Sequence, residues 1–390
     1  ETGLSIEDIK AVTVKIDQDL DWSERMALSI MKRAPEAWMN DFQDSPKWTY
    51  TIGLVMNSLC RVAEEKDKSL YFQYARGYAD TMILADGSIR GYDITSFNID
   101  NIAPGPYLLS VYEKTKEPRL ETAIQTLKQQ LSWQPQTTDG GYWHKLRYPW
   151  QMWLDGLFMG EPFQAEYAHK FDQLELLDHV AEQFILAEKH TRDPQTGLLY
   201  HGYDESRLQQ WAHPETGCSP HFWGRAVGWY CMGLVEVLDH FPKDHEKRAE
   251  LEAILDRTLQ AVLKVQDPET KTWWQVLNLP GKAGNYLEST ASCMFTYAMI
   301  KGVNKGYLDE KYRPRAKESY EGLLKTFIKV DDDGEVHLTK CCAVAGLGGR
   351  PYRDGSYEYY IGEPIRDNDP KGIGPFMLAS LEFERSEKAQ

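Results

Sequence analysis

Apolar positions recur along the chain in two distinct helical patterns. In the first, only one face is apolar. Leu120, Ile124, Leu127 and Leu131 fall on one side, as do Leu251, Ile254, Leu255, Val262 and Val265, the spacing of an amphipathic helix lying against a core. In the second, apolar residues run nearly all round, over 226–238, 291–300 and 375–381, which predicts helices enclosed on every side.

Turn signals divide these helices into repeats. Asp-Gly or Asp-Pro turns, or related ones, each followed by a short aromatic or strand-like stretch, lie at Asp44 to Tyr50, Asp86 to Tyr92, Asp139 to His144, Asp193 to Tyr203, Asp267 to Val276 and Asp333 to Leu338. The intervals, roughly 40–75 residues, leave room for one helix pair each. Amphipathic helices precede the turns and all-apolar helices follow them. Six such alternations predict a closed double ring of helices, an all-α (α/α)6 barrel, with residues 1–390 as a single catalytic domain. The aromatic stretches precede the inner helices and should gather at the N-terminal mouth of the inner ring.

Composition narrows the class of partner. The chain carries Lys+Arg 44 against Asp+Glu 59, a net charge of −15. That balance argues against nucleic acid, though a short anionic ligand can still be held by one or two local cations. No apolar run reaches the ~20 residues of a membrane span. The six cysteines show neither C-x-x-C spacing nor a disulfide framework and read as small buried hydrophobes. The chain begins Glu-Thr-Gly without a Met, so a removed leader is not visible and the compartment, cytoplasm or periplasm, is open.

Candidate chemistry concentrates at 141–156, where His144 and Asp155 stand among Trp143, Tyr148, Trp150 and Trp153. A carboxyl beside so many rings tends to keep its proton, whereas a helix N-terminus favours the anion; a useful acid needs the aromatic effect to prevail. Aromatic rings are also platforms for sugar faces. Asp100 is a second acid for the same mouth, and both aspartates also read as helix N-caps. His144 and His201 occupy equivalent places after a turn, suited to substrate hydroxyls or to tuning an acid. Arg225, on an apolar stretch beside Trp223 and Trp229, needs a partner: either a protein carboxylate or the carboxylate of an acidic sugar. His213 and His221 read as structural. No His or Cys pair has metal-ligand spacing, so neither metal nor cofactor is expected. Gly-Leu-Gly-Gly at 346–349 is too short for a phosphate loop. The run 353–360 reads as a surface loop, with closure of the mouth as the alternative.

The chain resembles the unsaturated rhamnogalacturonyl hydrolases, glycoside hydrolase family 105, and more distantly the unsaturated glucuronyl hydrolases of family 88. The motifs that carry the resemblance are Tyr-Pro-Trp-Gln-Met-Trp-Leu-Asp-Gly, Glu-Thr-Gly-Cys-Ser-Pro-His-Phe-Trp-Gly-Arg-Ala-Val-Gly-Trp-Tyr and Lys-Gly-Tyr-Leu-Asp, and it runs from Trp48-Thr-Tyr50 to Asn368-Asp-Pro-Lys-Gly-Ile-Gly-Pro. The resemblance implies the (α/α)6 barrel, Asp155 as general acid/base and Asp100 as its assistant. It implies a sugar site lined by His144, Trp153, His201, Trp223, Arg225 and Trp229, with Tyr50 at its edge. The chain departs from the family pattern around Asp100 and in the extra Cys-Cys-Ala-Val-Ala-Gly-Leu-Gly-Gly segment, both of which bear on the sugar that follows the cleaved one.

The implied substrate is a short oligosaccharide bearing a 4,5-unsaturated uronic acid left by a polysaccharide lyase, most simply unsaturated galacturonyl-rhamnose. The implied reaction is hydration of the C4=C5 vinyl ether, with no cofactor, nucleic acid or membrane, by a monomer or weak homo-oligomer. Two other readings of the residues stand beside it. One is an inverting glycosidase using Asp100 and Asp155 on saturated polysaccharide, and the other a non-catalytic sugar-binding toroid.

Overall fold

The computed structural model describes residues 4–390. Their α-helices, in chain order, are α1 (Ile6–Thr13), α2 (Trp22–Arg33), α3 (Tyr50–Lys66), α4 (Ser69–Met82), α5 (Gly105–Thr115), α6 (Pro118–Trp133), α7 (Asp155–Lys170), α8 (Leu176–Thr191), α9 (Gly224–Val237), α10 (Arg248–Lys264), α11 (Ser289–Lys305), α12 (Tyr312–Phe327), α13 (Tyr357–Gly362) and α14 (Pro370–Lys388). The inner helices α3, α5, α7, α9, α11 and α14 each pack on the next, and α14 packs back on α3. The even-numbered helices α4 to α12 lie outside their inner partners, and α2 covers α14. The predicted double ring is the observed one.

Burial explains the division. Every residue of α9 is buried, as are Ser289 to Val303 of α11. The outer α6 buries Leu120, Ala123, Ile124, Leu127 and Leu131 along one stripe, as its periodicity requires. The seam between chain ends is polar: Ser23 donates from its backbone N–H and hydroxyl to the Glu384 carboxylate at 3.0 and 2.7 Å.

The two rims of the barrel differ. Inner helices pass to outer ones through short links such as 67–68 and 116–117, whereas outer helices return through 134–154, 192–223, 265–288 and 328–369. These long returns hold short antiparallel pairings: β1 (Gln151–Trp153) with β2 (Gly202–Asp204), β3 (Ile328–Val330) with β4 (Val336–Leu338), and β5 (Cys341–Cys342) with β6 (Ile365–Arg366). All six turn stretches named above lie on this rim, at the inner N-termini. At the opposite end, Lys301 bridges Glu236 at 3.1 Å and Asp239 at 2.7 Å, and Arg61 also pairs with Glu236. This largely buried ion network lies at the end of the barrel away from the long returns. All six cysteines are free and buried. No helix among the described residues is long and apolar enough to cross a membrane.

Candidate active site

The pairing of β1 with β2 joins the two stretches that carry most of the candidate residues. Trp153 stands opposite Gly202, and the Leu154 N–H donates to the His201 carbonyl at 3.0 Å. A Cβ on Gly202 would meet Leu347 at 2.5 Å, so glycine is what lets Leu347 pack onto this strand. Asp155 follows as the first residue of α7, buried to 9 % exposure, and makes no side-chain cap hydrogen bond. The capping reading of Asp155 is therefore not realised. Its Oδ1 faces His201 Nε2 at 3.2 Å, although neither atom has the alignment of a hydrogen bond. His201 is fully buried, and its Nδ1 lies 2.8 Å from the Tyr360 hydroxyl.

Asp100 lies near the start of an inner helix as expected, but it is not that helix's N-cap. It sits on a short 3-10 turn (Ile99–Ile102) ahead of α5, packed against α7, and the turn is capped by Asn98 rather than by an aspartate. The Ile99 N–H donates to the His144 carbonyl at 3.0 Å, which ties this turn to the aromatic stretch. Asp100 Oδ1 meets His144 Nε2 at 3.0 Å and Oδ2 meets Lys145 Nζ at 3.5 Å. Burial opposes its charge, yet His144 and Lys145 hold the carboxyl well below the usual range. Asp100 is thus an ionised, doubly engaged carboxylate.

The aromatic wall divides into two parts. Trp153 stacks on His144 at 4.6 Å and on Tyr148 at 4.8 Å, and meets His201 edge-on at 5.6 Å. Its indole N–H donates to Gln151 Oε1 at 3.1 Å. Trp143 and Trp150 pair with each other instead, at 4.8 Å, with Trp150 in the left-handed backbone region and 38 % exposed.

Arg225 lies in the first turn of α9, 1 % exposed, with its guanidinium 4.7 Å over Trp223. Its expected alternatives were a protein carboxylate or one from outside. Among the described residues no carboxylate lies within ion-pair distance of it. Nη1 donates to the Cys342 carbonyl at 2.5 Å and to Thr290 Oγ1 at 3.3 Å, Nη2 reaches the Ala343 carbonyl at 3.4 Å, and Nε has no partner. Burial opposes the charge, but Cys342, Asp369, Glu288 and Tyr50 together hold the guanidinium above its ordinary range. Glu288 builds the acceptor cradle. It accepts from the N–H groups of Thr290, Ala291 and Cys342 at 2.7–3.0 Å, which fixes β5 against the start of α11.

Tyr50 begins α3 and meets Trp229 edge-on at 6.2 Å, while Trp229 stacks on Phe158 at 4.8 Å. Burial, then Asp100, push the Tyr50 hydroxyl well above its ordinary range; Arg225 pulls the other way, and Asp155 and Asp369 add to the push. The four charged residues therefore share one field at the mouth. Trp223 tilts onto His201 at 4.8 Å, and its N–H donates to Gln275 Oε1 at 3.1 Å. Gln275 also donates to the Tyr360 carbonyl at 2.9 Å.

All nine residues singled out from the sequence therefore lie on the N-terminal rim, in two linked groups: Asp100, His144, Trp153, Asp155, His201 and Trp223, and Tyr50, Arg225 and Trp229. The run 353–360 is not a plain surface loop: it enters α13 and delivers Tyr360 to His201. Lys145, Gln275, Glu288 and Asp369 were not anticipated, and Tyr360 only as the end of the run that was given closure of the mouth as its alternative. Glu288 and Asp369 precede inner helices as their N-caps, a pattern that a search for capping acids finds. His213 accepts from the N–H groups of Glu215 and Thr216 at 3.1 and 3.3 Å, a structural role.

Comparison with known proteins places this arrangement. Residues 22–387 match the family described as Glycosyl Hydrolase Family 88. A Clostridium acetobutylicum glycoside hydrolase of family 105 superposes with a TM-score of 0.91 at 43 % identity, covering 94 % of this chain and 100 % of that one. Protein Atu3128 of Agrobacterium fabrum is 42 % identical over 57 % of this chain and 97 % of its own length. The Bacillus subtilis unsaturated rhamnogalacturonyl hydrolase YesR is 25 % identical over 81 % of this chain and 86 % of its own. By these matches the chain belongs to Glycosyl Hydrolase Family 88 and, through its likeness to the Clostridium enzyme, to glycoside hydrolase family 105, and it is a glycoside hydrolase.

Proposed function

We propose that the enzyme removes a 4,5-unsaturated uronic acid from the non-reducing end of lyase-generated oligosaccharides, with unsaturated galacturonyl-rhamnose as the first substrate to test. The observation that carries this reading is Asp155 at the mouth, facing His201 with no hydrogen bond to its Oδ1, while the buried Arg225 has no carboxylate within ion-pair distance among the described residues. YesR and the 28 % identical unsaturated 3S-rhamnoglycuronyl hydrolase of Formosa agariphila, by their names, add support.

In this mechanism Asp155 delivers its proton to C4 of the vinyl ether. The C5 cation that forms is shared with the ring oxygen. Water adds to C5 as the Asp155 carboxylate takes the proton from it, giving a hemiketal. Ring opening leaves a C5 ketone and a C1 hemiacetal, which expels the rest of the oligosaccharide as an alcohol. Acid/base assistance of this kind supplies ~10²–10⁴-fold. Positioning accounts for the rest: Arg225 receives the substrate carboxylate through its planar fork, and Trp153, Trp223 and Trp229 offer ring faces.

Once a small turn of the Asp155 carboxyl aligns its 3.2 Å approach to His201 Nε2, the His201–Tyr360 contact lets one imidazole serve both states of the acid. With the Tyr360 hydroxyl donating to Nδ1, Nε2 carries hydrogen toward the ionised carboxylate. With Nδ1 donating to Tyr360, Nε2 accepts from the protonated acid. A two-acid displacement finds no such support, because both Asp100 oxygens are held by His144 and Lys145. The test is turnover of lyase-generated unsaturated disaccharides beside the intact polymer. Loss of the double bond's ultraviolet absorbance from the disaccharide, with the polymer untouched, is expected. Cleavage of saturated polymer, or binding without turnover, would overturn the reading.

A further inference from the structure

A second feature of the mouth has no role in the chemistry above. The hairpin closed by Gly348 and Arg353, whose backbones exchange hydrogen bonds at 2.8 and 3.0 Å, stands over the segment that carries Tyr148 and Trp153. Arg353 locks it there: Nη2 donates to the Tyr148 hydroxyl at 2.9 Å and to the Leu347 carbonyl at 3.1 Å, and Nε donates to the Gly348 carbonyl at 2.9 Å. Gly346 makes room, since a Cβ there would meet Arg353 Nη1 at 2.2 Å. Between hairpin and segment lies a cavity of about 870 Å³ that Arg147, Arg350, Arg353, Tyr148 and Gln151 help to line. That volume is in the range of a small-molecule site.

The charges of this cavity run against the rest of the chain. In a protein of net charge −15, neither Arg147 nor Arg350 has a carboxylate within ion-pair distance among the described residues. Both are exposed, and Arg147 rests on the Tyr148 ring at 5.2 Å. Two acids, Glu358 and Glu363, also line the cavity, against the three arginines. Tyr148 stacks on Trp153, which stacks on His144, so the cavity borders the catalytic mouth directly.

We infer that this cavity receives the leaving-group side of an acidic oligosaccharide, and that Arg147 and Arg350 bind a second anionic group, a carboxylate or a sulfate ester, beyond the unsaturated uronate. The inference rests on the proposed function and deepens it. A lyase makes the C4=C5 bond by elimination at a uronate, so products longer than a disaccharide retain further uronates. The guanidinium fork matches the planar oxygen pair of a carboxylate and also the oxygens of a sulfate.

The test is a kinetic and calorimetric comparison of the wild type with the double variant Arg147→Gln/Arg350→Gln. Three probes are used: an unsaturated disaccharide with a neutral second sugar, an unsaturated tetrasaccharide with an internal carboxylate, and an unsaturated disaccharide sulfated on its second sugar. The double variant should lose about tenfold more affinity for the charged probes than for the neutral one, and the difference should shrink with added salt. The tetrasaccharide and the sulfated disaccharide separate the two anion sources. Equal losses on charged and neutral probes, or no loss on either, would overturn the inference. Binding of the same probes to Asp155→Asn, which needs no turnover, keeps it separate from the reaction. If no unsaturated probe is hydrolysed but charged ones bind through these arginines, the reaction is wrong and the anion cavity stands.

Discussion

Replacing Arg225 by lysine separates charge from geometry at the centre of the site. Lysine keeps the positive charge but offers one nitrogen in place of a planar fork. In the wild type Nη1 is committed to the Cys342 carbonyl at 2.5 Å and Nη2 only weakly to Ala343 at 3.4 Å, while Nε is free. A lysine held by the Cys342 carbonyl leaves no second donor plane for a substrate carboxylate. Losing one charge-assisted hydrogen bond costs ~1.5–3 kcal/mol, and at about 1.4 kcal/mol per decade that is roughly 10–150-fold in kcat/KM. Because the carboxylate is present before and during protonation of C4, the loss should fall mainly on KM. The assay is the decline of ultraviolet absorbance on an unsaturated disaccharide over a range of concentrations, with thermal unfolding run in parallel to establish that the variant is folded. A folded Arg225→Lys enzyme whose kcat/KM stays within about twofold of the wild type would refute the assignment of the substrate carboxylate to this residue.

Other substitutions probe the acids and their supports. Asp155→Asn should lower kcat by ~10²–10⁴-fold, whereas Asp100→Asn, which breaks the contacts to His144 and Lys145, should retain more activity; steady-state rates on one substrate decide the order. Tyr360→Phe strips the partner from a fully buried His201 nitrogen, at a cost of ~1–3 kcal/mol; kcat should fall at least about tenfold and its pH profile should shift, while KM moves little. Glu166→Gln tests pH-dependent stability. Burial raises the Glu166 carboxyl from 4.5 to about 7, with Lys170 opposing. A raised carboxyl means that the folded state binds more protons than the unfolded one between those values, so its stability is greatest below 4.5 and is lost as pH rises toward 7. The full gap corresponds to about 3 kcal/mol, and the 18 % exposure of the side chain reduces the expectation to about 2 kcal/mol. Denaturant melts at pH 4.5 and 8 should therefore show Glu166→Gln gaining on the wild type only at the higher pH.

Much of this was visible in the chain because barrel architecture is a local property repeated. Whether a helix is apolar on one face or all round is decided within it, and that contrast placed α6 and α10 outside and α9 and α11 inside. The turns before the inner helices then put Asp155, His201 and Arg225 on one rim without any long-range information. What escaped were partners brought together by closure of the ring. His201 and Tyr360 lie 159 residues apart, and Arg225 and the Cys342 carbonyl 117. No periodicity links such positions. Asp100 shows a subtler loss: it reads as a helix N-cap, but Pro104 and Gly105 start α5 later and leave Asp100 on a separate 3-10 turn. Its pairing with His144, 44 positions along the sequence, follows from that turn packing on α7.

In the proposed reaction a proton from Asp155 goes to an alkene carbon and not to a glycosidic oxygen. Turnover of an unsaturated disaccharide in heavy water reads this directly. The product should be sampled by NMR at early times, beside a control that measures exchange of hydrogens next to the C5 ketone. One deuterium delivered to a single face of the former C4 is the predicted result. Cleavage that leaves C4 free of deuterium, or leaves the double bond in the released sugar, would contradict it.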